Sequence, residues 1–164
     1  MHGLSGEAAK TELELRKKNE ELQRDLEALS SKGPEGIDDL ESGEDKHALP
    51  YTVLDSRRGT VLFREEQSTT WNALFKLIGS LAYASGDTTN DGIRVRMESL
   101  VKEIQHSDER EVSIRQKDAD AVILQLGALQ LIRRSNRKNR WKLTPYGEKQ
   151  LMQLAAIRRP PSPF

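Results

Sequence analysis

Between Trp71 and Ala82 the apolar residues Trp71, Leu74, Phe75, Ile78, Leu81 and Ala82 fall at i, i+3, i+4, i+7, i+10 and i+11. That period lays one apolar stripe along a helix, and such a stripe must be buried against partners. Three more stripes of the same kind follow. Ile93, Met97, Leu100, Val101 and Ile104 line a second helix, for which Asn90 or Asp91 is the expected cap. Ala119, Val122, Ile123, Leu126 and Leu129 line a third, with Asp118 as its expected cap. Leu151, Leu154 and Ala155 line a fourth, with Thr144 as cap and Pro145 at the first position, where a missing N–H is harmless. Ser68, Thr69 and Thr70 offer caps for the first helix, and Gly86-Asp87 ends it.

Short β-prone runs separate these helices. YTVLD and TVLFRE flank SRRG, where Gly59 can take the positive φ of a tight turn, so a hairpin is expected. REVSIRQ, residues 110–116, sets Val112 and Ile114 against polar neighbours, as a half-buried strand does. LQLIRRS and RWKLT flank the polar turn NRKN and predict a second hairpin with a basic tip. The pattern predicts an α+β fold whose core includes Trp71, Phe75, Leu126, Trp141 and Leu151.

Four segments are expected: a charged helix at 1–31, an acidic flexible linker at 32–48, a folded domain at 49–159 and a tail at 160–164. In the first, Leu15, Asn19, Leu22, Leu26 and Leu29 are spaced 4, 3, 4, 3. That is a short heptad seam with Asn19 at an a position, where a buried amide favours a parallel dimer. The bland alternative is an amphipathic helix lying on another surface. The segment SSKGPEGIDDLESGEDKHA carries too little apolar area to order itself.

Net charge is zero, but residues 1–49 carry 13 acids against 7 bases, and residues 111–164 carry 4 acids against 11 bases. An acidic head and a basic tail admit a polyanion partner for the tail. Without cysteine there is neither a disulfide nor a thiolate metal site, which fits a reducing cytoplasm. No apolar run is long enough for a membrane span, and no small-molecule substrate or cofactor motif is found. His2 and His47 lie in expected flexible segments, and His106 beside Asp108 and Glu109 reads as a helix-terminal residue. Glu65 and Glu66 are adjacent strand residues on opposite faces, so they cannot act as a pair. No catalytic residue, metal ligand or cofactor is assigned.

The order from residue 68 onward resembles a winged helix, with 117–129 in the recognition slot and 131–143 as the wing. The string WKLTPYG is similar to the stretch that closes the wing in many such proteins. The strings WNALFKLIGSLA, DADAVILQLGALQLI and RWKLTPYGEKQLMQLAAIRR, preceded by LRKKNEELQRDLEAL, resemble the C-terminal part of bacterial proteins that begin with the domain of unknown function 4062. That resemblance implies an accessory C-terminal module, without the family's N-terminal domain and with no characterised activity.

Arg133, Arg134, Arg137, Lys138, Arg140 and Lys142 lie on or beside the expected wing, and Lys117 and Arg115 near the start of the third helix could add contacts. Wing cations contact phosphates and give salt-sensitive, sequence-independent affinity, so duplex nucleic acid is the expected partner. In the recognition slot Asp120, Ala121, Leu124, Gln125 and Ala128 face outward, and Gln125 alone has base-reading chemistry. The alternative is a protein-interaction or oligomerisation module that pairs with itself through the N-terminal seam and presents the Leu124 patch to another domain.

Overall fold

The computed structural model of the protein describes residues 2–31, 33–105 and 110–157. His106 and the expected tail at 160–164 lie outside them. The described residues form an α+β fold of five helices and two small antiparallel sheets, divided into two units, residues 1–33 and 34–164.

The first unit is one helix, α1 (His2–Ser31). Leu15, Leu22 and Leu26 are 57, 52 and 63% exposed on it, and Asn19 is exposed beside them. The side chain of Leu29 lies outside the described residues. Glu12 and Arg16 form an exposed i, i+4 pair at 3.1 Å, worth a few tenths of a kcal/mol.

The second unit starts with strands β1 (Lys46–Asp55) and β2 (Val61–Thr70), paired from Lys46↔Thr70 to Leu54↔Val61. The Asp55 carboxylate accepts the Arg57 and Arg58 N–H groups at 2.8 and 3.2 Å, and Gly59 turns the chain at φ 66°. Leu49, Tyr51 and Val53 alternate into the core. Strand β4 (Arg110–Ser113) pairs on the other side of β1, but only with Thr52–Asp55. Pro50 sits beyond that pairing, where its missing N–H interrupts no ladder on the β4 side. The first sheet therefore has the order β2-β1-β4.

Helix α2 (Trp71–Ser85) follows β2 directly. The hydroxyl of Thr70 accepts the Ala73 N–H at 3.1 Å, and Gly86 ends the helix at φ 83°. Next come β3 (Thr88–Thr89), α3 (Asn90–Gln105), α4 (Gln116–Ala128), β5 (Ile132–Arg134), β6 (Arg140–Leu143) and α5 (Pro145–Ala155). The cap of α3 is Thr89, whose hydroxyl accepts the Gly92 N–H at 3.0 Å; Asn90 and Asp91 lie inside the first turn. Helix α4 begins two residues before Asp118, so Asp118 is not its cap. It is a first-turn carboxylate that pairs with Arg115 at 3.1 Å and suits the positive end of the helix dipole. Thr144 caps α5 by accepting the Gly147 N–H at 2.8 Å, with Pro145 in the first turn.

The expected linker needs correction. From Pro34 the chain belongs to the second unit, and β1 already begins at Lys46. The carbonyls of Gly43 and Asp45 accept the Asn72 and Trp71 N–H groups at 2.9 and 3.2 Å. A helix N-terminus has such donors to spare, and backbone carbonyls satisfy them whatever the side-chain composition. Ile37 and Leu40 are half-buried. Polar composition does not reveal these anchors, because they are main-chain atoms and two isolated aliphatics.

The core gathers Leu74, Phe75 and Ile78 of α2, Ile93, Met97 and Val101 of α3, Val122, Ile123 and Leu126 of α4, and Leu151 of α5. Trp141 and Leu143 pack on its margin. Helix α5 approaches the turn before β5 so closely that a Cβ on Gly147 would lie 1.9 Å from the Leu131 carbonyl oxygen. Alanine is ordinarily preferred to glycine in a helix by about 1 kcal/mol. Here Gly147→Ala is expected to cost at least about 3 kcal/mol, because backbone must move to clear the methyl group. Urea unfolding of the two chains checks this, and a variant as stable as the parent refutes the close approach.

Candidate nucleic-acid interface

The basic hairpin consists of β5, a turn at 135–139 and β6, and β6 lies between β3 and β5 in the second sheet. Its register is Ile132↔Leu143, Arg133↔Lys142 and Arg134↔Trp141. Alternation puts Arg133 and Lys142 opposite each other on one face and Arg134 with Trp141 on the other. Asn139 takes φ 59° at the end of the turn, a conformation asparagine tolerates better than most residues.

Trp141 is half-buried against the core. Its indole N–H donates to Asn90 Oδ1 at 2.6 Å, and the Arg134 guanidinium lies over the ring, 5.4 Å from the centroid. Asn90 Nδ2 donates in turn to Asp120 Oδ1 at 3.0 Å, where Gln116 Nε2 also donates at 2.9 Å. Arg94 donates to Gln116, Glu98 and Asp91, and the Glu98 carboxylate accepts the Ile114 N–H at 3.2 Å. The hydrogen bond from Arg94 to Asp91 raises the Arg94 pKa further, so its charge is permanent. A continuous polar chain therefore ties the hairpin to the N-terminal ends of α3 and α4.

Asp87, between α2 and β3, is the second tie. Its carboxylate accepts Arg140 Nε at 2.6 Å and the Ser135 hydroxyl at 3.0 Å, and Arg137 lies 3.6 Å away. The Asp87 side chain is only 8% exposed. The Arg140 hydrogen bond, with Ser135 and Arg137, holds the Asp87 pKa below its ordinary 3.8 against the opposing cost of burial.

These contacts divide the expected cations. Arg140 is corrected from a phosphate contact to a brace, because its guanidinium is turned onto Asp87 and only 32% of its side chain is exposed. Arg137 leans on the same carboxylate at longer range and stays 71% exposed. Arg133, Arg134 and Lys138 are exposed, Lys142 is half-buried, and Lys117 is exposed in the first turn of α4. Gln125 is also corrected: its amide donates to the Glu41 carbonyl at 2.8 Å and is not held out for a base edge. Asp120 is held by Asn90 and Gln116, which leaves Lys117, Ala121, Leu124 and Ala128 as the open face of α4, with Leu124 67% exposed. Sequence reasoning missed Asp87. A lone aspartate after a helix-ending glycine signals only a turn, and its partners lie 48 and 53 residues away.

Among the described residues no group of three or more His, Asp or Glu side chains could hold a metal, and no helix is long and apolar enough to cross a membrane. No family model, curated protein or solved structure matches the chain.

The Asp87 tie has a pH sign. A carboxylate whose pKa is lowered by folding contributes stability above its unfolded value of about 3.9, and that contribution fades as pH falls through the folded value. Asp87→Asn is thus expected to lower the melting temperature at pH 7, by a gap that narrows as pH falls below about 3.9 through the folded value. Thermal unfolding followed by circular dichroism across a series of falling pH values tests this; a gap that stays constant throughout would mean that charge is not what Asp87 supplies.

Proposed function

We propose that residues 71–155 are a non-catalytic winged-helix module whose basic hairpin makes sequence-independent contacts with the phosphates of duplex nucleic acid. The order α2, β3, α3, α4, β5, β6, with β6 central in its sheet, supports the winged-helix reading. Strand β4 is an addition between α3 and α4 that joins the first sheet instead. In this reading the module is an accessory C-terminal part of a larger bacterial protein, as the resemblance to proteins of the domain of unknown function 4062 implies, and it works in the cytoplasm, which the lack of cysteine fits.

One observation carries the proposal. Arg133 and Lys142 sit opposite each other on one face of a braced ribbon, where like charges repel unless a polyanion lies across them. Lys138 and Arg137 extend that charge toward the tip, and Arg134 adds a cation over Trp141. The open face of α4 offers Leu124 and alanines to a groove, so base readout is not expected. Titration with a duplex at several salt concentrations tests the role. Each phosphate contact removed flattens the slope of log K against log salt by about 1, so Arg133→Ala with Lys142→Ala should flatten it by about 2. Arg140→Ala should chiefly lower thermal stability. No binding to duplex at low salt would rule the proposal out.

A second reading, a module that associates with protein, is favoured by the apolar surface of α1. Leu15, Leu22 and Leu26 are more than half exposed along one seam, with Asn19 among them. If copies pair through that seam, Leu15→Lys with Leu22→Lys converts a dimer into a monomer in sedimentation velocity. A monomeric parent at every concentration tested would end this reading.

A further inference from the structure

Residues 34–45 hold six acids, Glu35, Asp38, Asp39, Glu41, Glu44 and Asp45, and no base. This strap is fastened beside α4 and the start of α2. The Glu41 carbonyl accepts Gln125 Nε2 of α4 at 2.8 Å, and its carboxylate accepts the Trp71 indole N–H at 3.2 Å. Glu44 accepts Asn72 Nδ2 at 2.7 Å, and the carbonyls of Gly43 and Asp45 cap α2. All six acidic residues are exposed. No ion pair among the described residues engages any of them. Gln125 lies five residues beyond Asp120, about 140° further round the helix, so the strap borders α4 on the flank away from the Asn90–Trp141 contact.

Capping α2 needs only the carbonyls, which a neutral strap would supply equally well. Glu35, Asp38 and Asp39 add charge to the strap and take no described part in fastening it. We propose that the strap is a built-in electrostatic gate: held beside α4, it repels phosphates from that helix and confines a nucleic acid to the basic hairpin. The inference rests on the nucleic-acid reading above. Release of the strap, or neutralisation of its acids, would open α4 and its Lys117 to the duplex.

The test uses the full chain. Glu35→Gln, Asp38→Asn and Asp39→Asn together remove three charges and leave the fastening bonds intact. Glu14→Gln, Glu20→Gln and Glu21→Gln make the same charge change on α1. Duplex affinity of the strap variant should rise about tenfold near 50 mM salt and by less than about twofold near 0.5 M, because the Debye length shrinks from more than 10 Å to only a few Å. The α1 variant should change little. An equal gain in both variants would show a net-charge effect and overturn the gate. Duplex binding by the parent with no gain in the strap variant would overturn the gate and leave the nucleic-acid function standing. No binding by any of the three chains would overturn both.

Discussion

The second sheet depends on one buried carboxylate. Strand β3 is two residues long and β5 three, too short to fix a ribbon by ladder hydrogen bonds alone. Asp87 supplies what is missing by gripping the hairpin from outside its strands, through Ser135 at the end of β5 and Arg140 at the start of β6. Charge-assisted hydrogen bonds of this kind are roughly twice as strong as neutral ones, and the shielding of the Asp87 side chain protects them from solvent. The indole of Trp141 acts on the other side of the strand, anchored to Asn90 and packed on the core. Held on both faces near its turn, the hairpin can carry Arg133 and Lys142 face to face without splaying.

The same wiring explains why the module's basic charge is less available than composition implies. A guanidinium that braces a turn has already exchanged its water for a carboxylate, and re-pairing it with phosphate would cost that buried carboxylate its shortest hydrogen bond. Arg140 is in that position. Cations with no such commitment are the ones that can release counterions from a duplex. On α4, Gln125 and Asp120 are likewise engaged, so the exposed face of the helix presents Ala121, Leu124 and Ala128 beside Lys117.

The strap at 34–45 illustrates a general point about helix starts. The first turn of α2 needs acceptors for its free N–H groups, and any nearby extended backbone can provide them. A segment too polar to form a core of its own can thus be ordered by main-chain bonds and a few aliphatic contacts, such as Ile37 and Leu40.

What the sequence determined by itself was local. The apolar periods of 71–82, 93–104, 119–129 and 151–155 located four helices, and Gly59, Gly86, Thr70 and Thr144 marked where chain direction had to change, because period and turn chemistry act over a few residues. The α3 cap lies one or two residues before the expected Asn90 or Asp91, since Thr89, Asn90 and Asp91 in succession compete for the same donors, and the α4 cap lies three before Asp118, at Arg115, which makes no side-chain cap hydrogen bond. Only the tertiary structure decided which cations are spent inside the protein, that an acidic segment is fastened beside α4, and that Gly147 must lack a side chain. Those outcomes depend on groups 16 to 84 residues apart meeting at hydrogen-bond or van der Waals distance, and no short-range pattern encodes such a meeting.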